Sequence, residues 1–146
     1  MIGGLRVAVA GDHAAVAGLL REAELPLDGL SATLEHFVVE EQDGEVMAAA
    51  GLELYGPDAL LRSVVVAADH RGSGAGSRLV EAARRLARDL GVRGVYLLTD
   101  SADRFFARHG FAIIDRSEVP ASIRSSVEFA SVCPDSAIVM RDAGPA

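Results

Sequence analysis

The sequence predicts an α/β (α+β) domain in which one mixed sheet is covered by helices. Three observations predict it. Two strand-like runs are joined by the hairpin signal Asp43-Gly44. Residues 59–67 are nearly continuously apolar, as in a central strand buried on both faces. A strand-helix-strand-helix-strand order then follows. The 146 residues, half of them apolar, suit one domain with one core. Residues 1–142 are read as that domain and residues 143–146 as a disordered tail.

In chain order, Leu5 to Ala10 reads as a first strand, and Asp12 as the cap of a helix carrying Val16, Leu19, Leu20 and Ala23 at helical spacing. Leu25-Pro26-Leu27 breaks that helix, and residues 27–36 form a second short helical piece. Phe37 to Glu41 and Glu45 to Tyr55 make a hairpin, and Gly56-Pro57-Asp58 is the next turn. After the strand over residues 59–67 comes a glycine-rich loop. A helix follows to about Leu90, striped by Leu79, Val80, Ala83, Leu86, Ala87 and Leu90 and ended by Gly91. Gly94 to Thr99 is a strand, Ala102 to Arg108 a short helix, and Phe111 to Asp115 a strand. Pro120 opens a helix through about Ser131, and Ala137 to Arg141 is the last strand.

Composition narrows the function. The formal net charge of −7 comes with no basic stripe for nucleic acid, and Arg84-Arg85-x-x-Arg88 reads as a solvated helix face beside Glu81 and Asp89. No apolar run reaches the ~20 residues of a membrane span, and the N-terminus lacks a secretory pattern, so a cytoplasmic location is expected. One cysteine, Cys133, excludes an internal disulfide and a thiolate-rich zinc site. His13, His36, His70 and His109 show no metal-ligand spacing, so no metal is expected.

The loop Arg71-Gly72-Ser73-Gly74-Ala75-Gly76 carries the chemistry. It follows a buried strand and opens a helix, where backbone N–H groups lack partners and the helix dipole is positive. A phosphate fits there. Arg71 adds a cation, and Ser73 and Ser77 add hydroxyls. A P-loop would need Gly-Lys-Ser/Thr where Gly76-Ser77-Arg78 stands, and a dinucleotide fingerprint would need a third glycine at Ser77 or Leu79. Both fail. Alone, the loop supports an anion site or a turn without a ligand.

Arg71-x-x-Gly74-x-Gly76, preceded by Val64-Val65-Val66 and followed by an amphipathic helix, resembles the acetyl-CoA motif Gln/Arg-x-x-Gly-x-Gly/Ala of the GNAT N-acetyltransferases. Ala102 to Phe111 resembles the late helix of that family and its Gly-Phe ending. The resemblance covers about residues 5–141 and implies a mixed, splayed central sheet flanked by helices, with acetyl-CoA as the acyl donor. It implies that the backbone of Val64, Val65 and Val66 pairs with the pantetheine arm, and that residues Arg71, Gly72, Ser73, Gly74, Ala75, Gly76 and Ser77 hold the pyrophosphate. Phe105, Phe106 and Arg108 then lie near the thioester and the CoA wall; plain core packing is the alternative for the two phenylalanines. Leu97-Leu98-Thr99 resembles amino-acid N-acetyltransferases. Gly51 to Gly56, Leu61-Arg62-Ser63, Val119-Pro120-x-x-Ile123-Arg124 and the stretch with Cys133-Pro134 resemble N-acetyltransferases of arsenic-resistance operons. The resemblance admits a homodimer, which no residue of the sequence demonstrates.

Acyl transfer needs a neutral amine, hence a base or a proton path. Glu53 is the candidate base, with a surface carboxylate as the alternative. Tyr55 shares its strand face. Arg62, unusual in an apolar strand, either pairs with Glu53 or holds a substrate carboxylate. Arg124 is a second carboxylate clamp, and His36 a further cleft residue. The tyrosine that protonates the leaving thiolate in many family members is replaced by Phe106. Cys133 alone cannot make a soft-metalloid site and is read as structural or cleft-lining. The expected function is N-acetylation of a small amine, amino-acid-like and with an arsenic-containing compound in view. The alternatives are a non-catalytic CoA sensor and a protein N-acetyltransferase.

Overall fold

The computed structural model describes residues 3–126 and 137–142. The strands are β1 (Gly3–Val7), β2 (Phe37–Gln42), β3 (Glu45–Tyr55), β4 (Asp58–Val66), β5 (Gly94–Thr99), β6 (Phe111–Ile113) and β7 (Ile138–Asp142). The helices are α1 (His13–Glu22), α2 (Ala75–Asp89), α3 (Asp103–Ala107) and α4 (Ala121–Arg124). One sheet holds all these strands in the order β1-β2-β3-β4-β5-β7-β6. Its neighbours pair antiparallel except β4 and β5, which run parallel. The expected mixed sheet flanked by helices is therefore observed. No helix among the described residues is long and apolar enough to cross a membrane.

Side-chain alternation assigns the helices to faces. Ala48, Ala50 and Leu52 of β3 and Ala59 and Leu61 of β4 pack with Leu79, Val80, Ala83 and Ala87 of α2 on one face. On the other face, Phe37, Val39, Ala49 and Val65 meet Val16, Leu19 and Leu20 of α1. Farther along that second face, Leu60, Tyr96 and Val139 are covered by Val119 and Ile123. The α2 stripe is as its spacing predicts, except that Leu90 lies past the helix and is 41% exposed. Gly91 (φ 78°) ends α2, with the Val92 amide donating to Ala87 O and the Gly91 amide to Arg88 O. That paired closure needs a left-handed residue, which glycine adopts without penalty.

The structure departs from the sequence reading in four places. β1 stops at Val7, and Ala10–Asp12 forms a 3₁₀ turn, because the Asp12 carboxylate accepts the Val9 amide at 2.9 Å and the two terminal guanidinium nitrogens of Arg6 at 2.8 and 3.0 Å. Asp12 thus fastens a turn to β1 rather than capping α1 through its side chain. Residues 27–36 run as successive turns, not a helix. Gly29, Leu34 and His36 have φ of 75°, 53° and 62°, and the left-handed Leu34 is held by complete burial against the α1 cluster. The helix after Pro120 is one turn, Ala121–Arg124, and residues 127–131 lie outside the described region, as do Cys133 and the tail 143–146. The arginine group on α2 is not one solvated face. Arg85 and Arg88 are exposed, but Arg84 is 4% exposed and donates to both oxygens of Asp142 at 2.8 and 3.0 Å, tying α2 to β7.

The feature that positions the site is the parting of β4 from β5. Their ladder runs from Asp58↔Gly94 to Leu60↔Tyr96, after which β4 continues to Val66 and β5 to Thr99. β5 keeps its other partner, β7, through Thr99↔Ile138. On β4, the register with β3 shifts between Ala49↔Val65 and Gly51↔Arg62, so Ser63 and Val64 face Ala50 alone. Ser63 sits at φ 59°, which is how a bulge bends a strand.

Two outcomes are expected of the folded chain. A Cβ on Gly51 would lie 2.3 to 2.5 Å from the Phe37 ring. Gly51→Ala should cost about 1–3 kcal/mol by overpacking, with partial recovery in Gly51→Ala/Phe37→Leu, measured by chemical denaturation. The Arg6 hydrogen bonds, with the Val9 amide, hold the Asp12 carboxyl below its ordinary value. That contribution is present above the unfolded carboxylate value of about 3.9 and is lost as pH falls through the folded value. Asp12→Asn should lower Tm at pH 7 and shrink the fall in Tm below about pH 4, followed by calorimetry.

Candidate active site

The diverging strands enclose a cleft of about 1030 Å³. One end is the glycine loop and the start of α2, and its walls include Val64, Val65 and Val66 on one side and Leu97, Leu98 and Thr99 on the other. The far end is closed by residues 23–26, which follow α1, and by Arg62 and Ser63. Because the β4–β5 ladder ends at Leu60, the edge of residues 61–66 faces the cleft instead of a neighbouring strand. Extended backbone of that kind can pair with an extended amide-bearing chain.

The glycine loop is shaped for an anion. Gly72 and Gly74 adopt φ of 85° and 89°, and Gly74 caps α2 in the left-handed region. The first helical hydrogen bond from the Arg78 amide goes to Gly74 O at 3.1 Å, which leaves the amides of Ala75, Gly76 and Ser77 at the open end of the helix. A Cβ on Gly76 would lie 3.2 Å from the Phe105 ring and 3.9 Å from Val66, so glycine keeps the cleft floor low there. Arg71 is exposed on the cleft wall, and its Nε donates to Val66 O at 3.3 Å. The Ser73 hydroxyl donates to His70 O at 2.6 Å, which stiffens the loop. Glu40 of β2 receives Arg78 through both oxygens at 2.9 and 2.7 Å. That bidentate pair ties the first turn of α2 to the sheet.

Phe105 and Phe106 both line the cleft. Phe106 is 7% exposed, stacks edge-on with Phe105 at 5.1 Å and Phe111 at 5.9 Å, and belongs to the α2-side core. The two phenylalanines therefore serve as core and as wall. The Arg108 guanidinium lies 5.9 Å from the centre of the Phe105 ring. Phe106 offers no proton.

Glu53, Tyr55 and Arg62 form a cluster on the face that carries α1 and α4. The Arg62 side chain is 1% exposed and donates to Glu53 Oε2 at 2.7 Å, while the Tyr55 hydroxyl donates to Glu53 Oε1 at 2.7 Å. Arg62 also donates from Nε to the Ser63 hydroxyl at 2.9 Å and from Nη2 to Pro26 O at 3.5 Å. Of the two roles weighed for Arg62, the ion pair with Glu53 is the one observed. Burial, then the Glu53 hydrogen bond and charge, push the Tyr55 hydroxyl up to about 12, so it remains a donor at neutral pH. Glu53 has used one acceptor position on each oxygen of about four in all.

Other candidates are placed apart from these. Arg62 lines the cleft, and Glu53 and Tyr55 stand next to it without being among the lining residues. His36 is half-buried at the entry to β2, and Arg124 is exposed on α4; neither lines the cleft. Among the described residues, no group of His, Cys, Asp and Glu is arranged to hold a metal ion. Sequence reasoning missed residues 23–26 as a cleft wall, the anchoring of Arg78 by Glu40, and His109, whose Nε2 lies 3.0 Å from the Ser77 hydroxyl. The loop after α1 carried no motif. His109 precedes the Gly-Phe pair at Gly110-Phe111, which was the only signal available for it.

With this geometry established, comparison with known proteins gives a consistent assignment. The Acetyltransferase (GNAT) domain model matches residues 33–113. An amino-acid acetyltransferase of Mycobacterium tuberculosis is 35% identical over 95 residues, 63% of this chain and 54% of the relative. One from Pasteurella multocida is 25% identical over 134 residues, 86% of this chain and 30% of the relative. The chain spans 30% and 23% of the lengths of the Pasteurella and Mannheimia relatives, so it corresponds to a part of them. A Mycobacterium tuberculosis protein solved in complex with CoA superposes with a TM-score of 0.79 at 27% identity, covering 94% of this chain and 96% of that one. The N-acetylglutamate synthase of Neisseria gonorrhoeae, complexed with coenzyme A and N-acetyl-glutamate, shares the fold at a TM-score of 0.80 and 22% identity, over 97% of this chain and 35% of that one. A splayed sheet, a glycine loop opening α2 and a matching domain over residues 33–113 agree: the chain belongs to the GNAT family of acetyl-CoA-dependent acetyltransferases.

Proposed function

We propose that the chain transfers the acetyl group of acetyl-CoA to the amine of a small, amino-acid-like acceptor. The observation that carries the reading is the single cleft whose two ends differ in chemistry. One end offers helix-terminal amides, Arg71 and left-handed glycines for a pyrophosphate; the other offers the polar cluster around Arg62. The relatives named amino-acid acetyltransferase support the acceptor class. An arsenic-containing amino acid is the finer form of the reading and rests on sequence resemblance. A cytoplasmic location completes it.

In this reading the residues of the cleft act in sequence. The pantetheine arm lies along Val64 to Val66, and the first turn of α2 with Arg71, Gly72, Ser73 and Ser77 holds the pyrophosphate. Phe105 and Arg108 border the arm, and Phe106 shields the thioester from water. Glu53 takes the proton of the incoming amine, directly or by way of a water. Arg62 and Tyr55 keep its carboxylate in place. Arg62 is the candidate contact for an acceptor carboxylate at the cleft, with Tyr55 beside it; Arg124 and His36, which do not line the cleft, are candidate contacts for a part of the acceptor that extends beyond it. With Phe106 where a tyrosine is usual, the thiolate leaves without a protein acid at that position, as a fair leaving group near neutral pH can. The same feature favours a second reading, a CoA sensor without turnover.

Thiol release from acetyl-CoA with a panel of amino acids, including arsenic- and phosphorus-containing ones, separates the two; mass spectrometry of the products excludes or finds a protein acceptor. Turnover with at least one amino acid is expected, and tight CoA binding without turnover on the whole panel would favour the sensor. Gly76→Val should weaken CoA binding about tenfold or more, since its side chain must displace Phe105 or fill the floor of the cleft. Glu53→Gln should lower kcat about 100-fold with CoA affinity unchanged. Arg62→Ala and Arg124→Ala should raise KM for carboxylate-bearing acceptors about tenfold; unchanged KM in both would discard the clamp.

A further inference from the structure

Behind the first turn of α2 runs a chain of polar side chains that the acyl-transfer chemistry does not use. The Ser77 hydroxyl lies 3.0 Å from His109 Nε2, and His109 Nδ1 lies 3.4 Å from Glu81 Oε2. Ser77 lines the cleft, whereas the His109 side chain is 14% exposed and reaches the cleft only through Ser77. The imidazole is held in orientation by the Phe105 ring, at 4.9 Å between centres.

The direction of the hydrogen bonds decides what Ser77 can offer a ligand. With His109 neutral and Nδ1–H donating to Glu81, Nε2 accepts the Ser77 proton. The serine then turns lone pairs toward the cleft, which suits no phosphate oxygen. For the Ser77 O–H to donate to a phosphate, Nε2 must carry a proton and donate to Ser77 Oγ. In the other neutral tautomer, Nδ1 would then turn its lone pair on the Glu81 carboxylate. Only the imidazolium satisfies phosphate, serine and carboxylate together. Other charges near His109 do not reverse this. Arg84 of α2 lies against Gly110 but is engaged by Asp142 of β7 and by Glu81. Arg108 is directed over the Phe105 ring.

Resting on the CoA reading above, we infer that His109 is a positioning residue for the donor: it takes up a proton from solvent when the pyrophosphate binds, so that Ser77 can donate to a phosphate oxygen. Donor affinity accordingly rises with falling pH, because the bound state holds the additional proton. The dependence belongs to donor binding and not to the amine chemistry at Glu53.

Calorimetric titration of the full chain with CoA at pH 7.5, in two buffers of different ionisation enthalpy, counts protons taken up per CoA bound. The wild-type chain should take up measurably more protons per CoA bound than His109→Gln. In that variant an amide N–H replaces Nε2–H, and affinity should stay within about threefold. Ser77→Ala should lose the extra uptake and bind about tenfold more weakly. In Glu81→Gln, altered on an exposed helix face, the amide can donate to Nδ1 of a neutral ring. It too should lose the uptake while keeping its affinity, which preserves the test if His109→Gln fails to fold. The phosphates of CoA titrate alike in every variant and cancel in the difference. CoA binding with equal proton uptake in wild type, His109→Gln and Glu81→Gln would overturn the inference and leave the donor reading standing. No CoA binding by the wild-type chain would overturn both.

Discussion

Once β4 and β5 part after Leu60↔Tyr96, the geometry of the site follows. Two parallel strands that stayed paired to their ends would fill the middle of the sheet with backbone hydrogen bonds. Here β5 keeps β7 as its partner through Thr99, and β4 carries a bulge at Ser63-Val64 against β3. Backbone polar groups that would have been satisfied within the sheet border a cleft instead, where a ligand can meet them. Arg62 stands at one end of that cleft, on the face opposite α2, and Val66 lies beside Gly76 at the other.

Charge is organised around this opening. Three arginines are committed to carboxylates that fix the frame: Arg6 to Asp12 at the turn into α1, Arg78 to Glu40 at the start of α2, and Arg84 to Asp142 between α2 and β7. The buried Arg84 is a matched pair, since breaking it would leave a charge in the interior. Arg62 and Glu53 are matched as well, but at the edge of the cleft, where Glu53 keeps 21% of its side chain exposed. A carboxylate so held is fixed in direction while still open on one side. Arg71, by contrast, reaches only a backbone carbonyl among its described hydrogen bonds and stays exposed on the cleft wall, the disposition expected of a group that meets an anion from solution.

Much of this was legible in the sequence where one local signal dominated. The α2 stripe, the Asp43-Gly44 hairpin and the run over residues 59–67 each had one reading, and the structure has them as helix, turn and strand. The glycine loop was legible because left-handed φ at Gly72 and Gly74 excludes most other residues. What escaped depended on partners distant in sequence. Residues 27–36 have helical composition, yet burial of Leu34 under α1 outweighs propensity. Arg84 looked like its exposed neighbour Arg85 until Asp142, far along the chain, came beside it. His109 has no motif of its own, and it meets the Ser77 hydroxyl, 3.0 Å away on α2, from the turn that follows α3. The end of the cleft proposed for the acceptor is assembled from a loop after α1 and the bulged strand, with no contiguous pattern to read.

The central claim is that the gap between β4 and β5 receives the donor, with its pyrophosphate on the first turn of α2. Amide hydrogen exchange of the chain with and without CoA tests it directly. Slowed exchange concentrated in residues 64–66 and 72–77 is the predicted result. Protection confined to the smaller hollow between β1, β2 and the outer side of the loop, around Gly4, Leu5 and Gln42, would contradict it, as would exchange that CoA leaves unchanged throughout.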